Sequence, residues 1–393
     1  MFTFFVWFFL SACAVYVLLD LQLLRGLKRL DQMGKQAAAP QPPFPAPFIT
    51  VLIAARDEED NIARVLNALL AQDYPRDKTQ IVVANDRSVD RTESILRDYA
   101  TRFPSLIEFV TIDTLPEGWA PKKHALLRGL ERARGEWIAV TDADSEMGPT
   151  WLSCLSREFG DRTGMVLGIT AYAENRHTGN LPEPSMAAGA RALEFASLGI
   201  TSAALLGLGF PVIANANNLA YRRQAFDEAG AFERHGRVVS GDDDFTLQEI
   251  NATGNWEVRH SIAPGALMRT AAPESWRPFW EQRKRWGSKC FHYRAPQVAF
   301  LLAVFAFYLS LPVLLIAGSI NPALGWLGLT GFVLKTAADF EVMRRGLRLF
   351  GLSPLLRHFP LTALLHIPLI LAAVTLGTMR GFTWKGQKLQ RKV

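Results

Sequence analysis

Between Phe48 and Val140, short apolar runs alternate with segments of helical spacing, and most of the runs close on an acidic turn. Phe48 to Ala54, Gln80 to Ala84, Ile107 to Ile112 and Glu136 to Val140 are rich in apolar and β-branched residues, as strands buried on two sides require. Between the first two, Ile62, Val65, Leu66, Leu69 and Leu70 recur at helical spacing. A second helix passes through Ile95 and Leu96, with Asp90 placed to cap it, and a third covers Lys122 to Arg134. This alternation predicts an α/β fold, a mostly parallel sheet covered by helices. Ligands of such sheets bind beyond the C-terminal ends of the strands. Asp57, Asp86, Asp142 and Asp144 all fall at those ends.

Asp142 and Asp144, one residue apart, can turn towards one point and suit a hard divalent cation that leaves room for phosphates. Taken alone, they equally read as an acidic turn before the helix that Pro149 opens. Lys122, Lys123 and Arg128 near a helix start suit a diphosphate, or form a solvated basic face. In Ser240-Gly241-Asp242-Asp243-Asp244-Phe245 three carboxylates repel one another, so one can become a general base, though all three also suit a helix N-terminus.

Composition separates the middle of the chain from its ends. Of 393 residues, 49% are hydrophobic, and these concentrate at the two ends. Phe2 to Leu24 can span a bilayer. Arg25, Lys28 and Arg29 follow it, which predicts a retained anchor with the next domain in the cytoplasm. Cleavage near Ala37 to Ala39 is the alternative. The net charge of +6 lies beside apolar segments and points to anionic headgroups, not nucleic acid. The three cysteines fit a reducing compartment without a disulfide framework.

Beyond the acidic pair, Thr163 to Thr170 reads as a strand and Pro182 to Pro211 as buried or interfacial helix. Asn215 to Arg223 reads as a polar loop that lines an acceptor cleft or packs as a turn. Trp276 to Trp286 mixes aromatics with cations, as an interfacial helix does. Val298 to Ile320, Pro322 to Val342 and Pro360 to Met379 read as spans. The basic tail (Arg380, Lys385, Lys388, Arg391, Lys392) favours the cytoplasm, which conflicts with three full crossings unless one segment is re-entrant or interfacial.

In this order the motifs resemble those of membrane-bound glycosyltransferases of family 2, with the GT-A fold. Ile53-Ala54-Ala55-Arg56-Asp57-Glu58-Glu59 looks like the family's first strand and turn, with Asp57 for the usual Asn. Asn85-Asp86-Arg87-Ser88-Val89-Asp90-Arg91-Thr92 resembles its nucleotide-contacting segment. Lys122-Lys123-His124-Ala125-Leu126, Asp142-Ala143-Asp144, Asp242-Asp243 and Gln282-Arg283-Lys284-Arg285-Trp286 complete the set. The resemblance implies inverting transfer from a nucleotide diphosphate sugar, a UDP-sugar in the first place, to a membrane lipid. Asp86 and Glu58 would hold base and ribose. Asp144, with Asp142, would hold Mg²⁺ or Mn²⁺, and Asp142 would also face the ribose or sugar. Lys122 and Arg285 would neutralise the diphosphate. Asp243 would be the base beside Asp242, and Gln282 and Trp286 would shape the acceptor mouth. A processive polysaccharide synthase and an inactive membrane scaffold or nucleotide sensor are the alternatives. The expected organisation is an anchor (1–30), a linker (31–47), the catalytic domain (48–270), an interfacial helix (271–295), a transmembrane region (296–380) and a basic tail (381–393), in a bacterial inner membrane.

Overall fold

The computed structural model describes residues 2–37, 46–173, 185–273, 275–379, 382–384 and 387–389. The chain opens with α1 (Phe2–Ala37). There follow β1 (Ile49–Ala55), α2 (Ile62–Leu70), β2 (Thr79–Asp86), α3 (Thr92–Arg102), β3 (Ile107–Ile112), α4 (Pro121–Leu130) and β4 (Trp137–Asp142). The next elements are β5 (Glu146–Met147), α5 (Trp151–Ser156), β6 (Thr163–Leu167), β7 (Thr170–Ala173) and α6 (Met186–Gly207). Then come β8 (Leu219–Arg222), α7 (Arg223–Ala229), α8 (Ala231–His235), α9 (Asp242–Ala252), β9 (Glu257–His260) and β10 (Met268–Ala271). Four helices, α10 (Trp276–Ser288), α11 (Ala295–Ala317), α12 (Pro322–Leu349) and α13 (Phe359–Met379), precede a hairpin of β11 (Phe382–Trp384) and β12 (Gln387–Leu389).

The main sheet has seven strands in the order β3-β2-β1-β4-β8-β6-β9. β1 to β4 are mutually parallel, β8 runs antiparallel between β4 and β6, and β9 is parallel to β6. The expected α/β, mostly parallel arrangement is therefore what the chain adopts. Ala55 pairs with Asn85, and Ala54 with Asp142, so β1, β2 and β4 end level. That register sets Asp86 and Asp142 on either side of the β1 end.

Several expectations need correction. Thr163 to Thr170 is not one strand: it breaks after Leu167, and β7 joins a second sheet, β5-β10-β7. A Cβ at Gly168 would come within about 2.5 Å of the Asn218 amide, so the chain turns where no side chain fits. Asn215 to Arg223 is half strand, and Asn218 is a packed turn residue. Its Nδ2 donates to the carbonyls of Ile169 and Ala266, and its Oδ1 accepts from Trp151 Nε1.

Three helical stretches among the described residues are long and apolar enough to cross a membrane: Val6–Ala37, Ala295–Ala317 and Ser353–Thr378. Pro322 to Val342 is not among them. It belongs to α12, whose Lys335, Asp339 and Glu341 dilute its apolar run, and which packs along α1 and α11. α1 continues through Ala37 into the expected linker. Residues 38–45, Pro182 to Pro184, and Arg380, Lys385, Arg391 and Lys392 of the tail lie outside the described residues.

α10 and α13 cross backbone to backbone. A Cβ on Gly287 would lie 2.7 Å from the Ala373 carbonyl oxygen, and one on Gly377 would lie 2.6 Å from that of Lys284.

Candidate active site

Small residues open a cavity at the level strand ends. Ala54, Ala55, Ala125 and Ala143 line a space of about 160 Å³ together with Arg56, Glu58, Asp86, Lys122, Asp142, Asp144 and Arg285. Six of the residues singled out in the sequence thus share one cavity: Glu58, Asp86, Lys122, Asp142, Asp144 and Arg285. Asp57 does not join them. It adopts a left-handed backbone (φ 51°) and ties the β1 turn to the β2 turn. Its N–H donates to Ser88 Oγ, and its Oδ1 accepts from the Val89 N–H at 2.9 Å. Asp86 is held by Arg87, whose Nε and Nη2 donate at 2.7 and 2.9 Å.

Lys122 projects from the start of α4 between two acids. Its Nζ lies 2.7 Å from Asp142 Oδ1 and 3.3 Å from Asp242 Oδ2. Burial works against its charge, but those two carboxylates outweigh burial and hold its pKa above the usual lysine range. A diphosphate arriving here would meet a permanent cation.

The acid run opens α9, where three carboxylates in the first turn complement the helix dipole. Gly241, at φ 82°, makes the turn into it. Their partners give the three acids different characters. For Asp242 burial would raise the pKa, but Lys122, Lys123 and Lys289 outweigh it and hold the carboxyl below its usual range. For Asp243, burial and then the neighbouring Asp244 push the pKa up to about 6. Asp244 is fully buried and committed: its Oδ1 accepts from the Ala214 N–H, and its Oδ2 faces Lys289 Nζ at 2.5 Å and takes the Tyr293 hydroxyl hydrogen. Neither Asp242 nor Asp243 lines the 160 Å³ cavity. Asp242 adjoins it through Lys122, and Asp243 faces Lys289 at 3.5 Å.

Lys289 and Tyr293 were not read as site residues, and Lys123 was read only as suiting a diphosphate or a solvated basic face. Lys289 caps the end of α10, and Tyr293 follows the short 3-10 turn Cys290–His292. Lys123 is 1% exposed and not part of a solvated basic face. Its Nζ donates to the carbonyls of His235, Val238 and Ser240, fixing the loop that delivers the acid run. Lys123→Met should therefore leave three acceptors unmatched and cost about 3 kcal/mol in a thermal or denaturant unfolding measurement. Arg128 pairs with Glu131 on the surface.

Of the Gln-x-x-Arg-Trp motif only Arg285 reaches the cavity. Gln282 Oε1 accepts from Tyr172 Oη at 3.0 Å and from Arg283 Nη1 at 2.8 Å. Trp286 stacks on Phe195, with the Arg283 guanidinium 4.4 Å from its ring centre. Arg283 is buried against Glu194 of α6, so this face of α10 packs on protein and not on headgroups. Trp276, by contrast, is exposed.

Among the described residues no three His, Cys, Asp or Glu side chains gather as a ligand set. Asp142 and Asp144 nonetheless offer two hard oxygen donors at an open cavity edge. That donor set fits Mg²⁺ or Mn²⁺, which fill their remaining positions with water and phosphate oxygens.

The family model described as glycosyl transferase family 2 matches residues 50–229. The chain is 26% identical over 250 residues to the probable glycosyltransferase YdaM of Bacillus subtilis, covering 61% of this chain and 54% of that protein. It is 27% identical over 245 residues to a beta-monoglucosyldiacylglycerol synthase of a Nostoc species, covering 61% and 48%. The chain thus spans about half the length of these curated relatives. Among solved structures, the mannosyltransferase PcManGT of Pyrobaculum calidifontis, in complex with GDP-Man and Mn²⁺, aligns at a TM-score of 0.47 and 19% identity, over 90% of this chain and 99% of that one. Residues 50–229, just under half of the chain, are thus similar to glycosyl transferase family 2.

Proposed function

We propose that the protein is an inverting glycosyltransferase that moves a sugar from a nucleotide diphosphate sugar, a UDP-sugar in the first place, to a membrane lipid. The observation that carries this reading is the single cavity in which Glu58, Asp86, Asp142 and Asp144 face Lys122 and Arg285. Nucleotide and cation on the acidic side, with diphosphate against Lys122 and Arg285, use every charged group in it except Arg56. The name of the Nostoc relative, a glucosyldiacylglycerol synthase, supports a lipid acceptor. The candidate membrane helices support one too. Arg25, Lys28 and Arg29, which follow the apolar part of α1, favour a cytoplasmic catalytic domain in a bacterial inner membrane.

In this reading Asp86 and Glu58 hold the base and ribose. Asp144 and Asp142 would hold Mg²⁺ or Mn²⁺, which when bound supplies Lewis-acid neutralisation of the diphosphate. Lys122 and Arg285 stabilise the negative charge that grows on the leaving group. Asp243, largely protonated below pH 6 and ionised above it, takes the proton from the acceptor hydroxyl as that oxygen attacks the anomeric carbon. Asp242 keeps Lys122 in place. Gln282 and Trp286, steadied by Tyr172, Arg283 and Phe195, shape the acceptor side.

The test is donor turnover by detergent-purified protein with Mg²⁺ or Mn²⁺ and a panel of nucleotide sugars, with and without total membrane lipid. The expected result is metal-dependent nucleotide release and a sugar label that extracts into organic solvent. Arg285→Ala should lower that turnover by about 10²–10³-fold, as loss of one charge-stabilising donor does. Label retained in high-mass, water-soluble material would replace the lipid reading with polymer synthesis. No turnover with any donor or lipid would overturn the enzyme reading.

A further inference from the structure

A second chamber lies among the apolar helices. It measures about 230 Å³, and α1, α6, α11, α12 and α13 enclose it. Its wall is mostly apolar, with Leu23, Leu205, Val304 and Met343 among the lining residues. One end is polar and holds Tyr16, Asp20, Tyr308, Asp339 and His366. Tyr16 Oη donates to Asp339 Oδ1 at 3.0 Å and lies 2.9 Å from Tyr308 Oη. Lys335 pairs with Asp339 and approaches His366 Nδ1 at 3.4 Å. Asp20 is the exception. It is 4% exposed, it lines the chamber, and its Oδ2 meets no hydrogen-bond partner.

A buried carboxyl oxygen without a partner costs stability, and the cost is greater among apolar helices than in water. Ionisable groups inside such bundles mark ligand or ion sites by default. The charges here select the ligand. Among the described residues no lysine or arginine lines the chamber, and Lys335 is taken up by Asp339, so a phosphate would find no cation to receive it, while a hydroxyl would give Asp20 Oδ2 the donor it lacks. The depth is suitable as well. Asp20 precedes Arg25 by about 7 Å along the helix, close to the basic flank and far from mid-bilayer. The volume falls below the roughly 300–1,000 Å³ of pockets that enclose a whole small ligand, so the chamber takes part of one. Its floor at Val212 and Ile213 continues to Ala214, whose N–H holds Asp244 beside Asp243.

We infer that this chamber binds a chain of a membrane lipid whose uncharged hydroxyl is held by Asp20. The test needs no sugar donor, so its outcome is separate from that of the transfer assay. The full chain in detergent is exposed to a diacylglycerol carrying a diazirine in one acyl chain, and in parallel to phosphatidic acid with the same chains and the same diazirine. Diacylglycerol should label α1 and α11 about tenfold more than phosphatidic acid does. Asp20→Leu should cut that labelling about tenfold while the thermal midpoint holds or rises, because the unmatched carboxyl is gone. Ala363→Trp, which fills the chamber from α13, should cut it as well and carries the test if Asp20→Leu does not fold. Equal labelling by the two probes, or labelling unchanged in the folded variants, would overturn the inference. So would label found only on outward-facing residues such as Val313, Ile316 and Trp326.

Discussion

Asp243→Asn is expected to lower kcat by about 10²–10⁴-fold, the usual contribution of a positioned general base, while the protein stays folded. Asparagine keeps an oxygen to accept the Asp244 N–H, and Lys289 keeps Asp244 as its partner. The wild-type rate should rise with pH through about 6, because only the ionised carboxyl accepts a proton and the Asp243 pKa is raised to about 6. The stability effect has the opposite sense. The folded protein holds this proton more tightly than the unfolded chain, whose carboxyl has the ordinary value of 3.8. Ionising Asp243 therefore subtracts from stability as the pH climbs from that value towards about 6, and the loss persists above it. At pH 7 the asparagine variant should unfold at the same temperature as wild type or higher. Lost activity together with lost stability would instead mark Asp243 as a structural acid.

Arg283→Met is expected to be the most destabilising single change at the α6–α10 contact, at about 3–5 kcal/mol. The Glu194 and Arg283 side chains are only 4% and 3% exposed, so methionine would strand a buried carboxylate. The pair is not stabilising merely because it is paired, since both charges were removed from water to form it. Changing both partners, Glu194→Leu with Arg283→Met, should recover most of the loss. The readout is a double-mutant cycle of unfolding in detergent, with a coupling term of several kcal/mol expected. Activity should not recover with stability. Arg283 Nη1 also anchors Gln282, and its guanidinium covers Trp286. If the double variant is as unstable as the single one, apolar packing at this contact outweighs the ion pair.

What could be read from the chain follows from where each signal is stored. β1, β2 and β4 announce themselves because a parallel strand buried on both faces must be apolar throughout, and the helices between the strands must repeat at 3.6 residues. β8 and β9 are four residues each, and their pairing is set by partners far away in sequence. No local pattern separates β8 from a polar loop. The donor cavity was legible because strand ends collect ligand-binding residues, yet the same rule misplaced Asp57, which holds two turns together instead. Lys123 carried no warning, because a buried lysine and a surface lysine are spelled alike, and only the three carbonyls around Nζ distinguish them. The stretch Pro322 to Val342 is less apolar than the other expected spans because of its polar residues, whose partners lie on α1 and α11 as well as α12 itself.

The backbone crossing of α10 and α13 has a mechanical consequence. Glycine on each helix leaves no flexible side chain at the contact to absorb movement, so Arg285 travels with α13 as one stiff lever. Residues 48–270 cut away from the C-terminal helices would keep the sheet and the Asp142–Asp144 turn, but lose Lys289 and Tyr293, which hold Asp244, and the Arg285 guanidinium that lines the cavity. The expectation is a chain that idles until its last apolar helix has docked. Under the proposed function, that docking would arm it and keep donor sugar safe from hydrolysis by the unfinished protein.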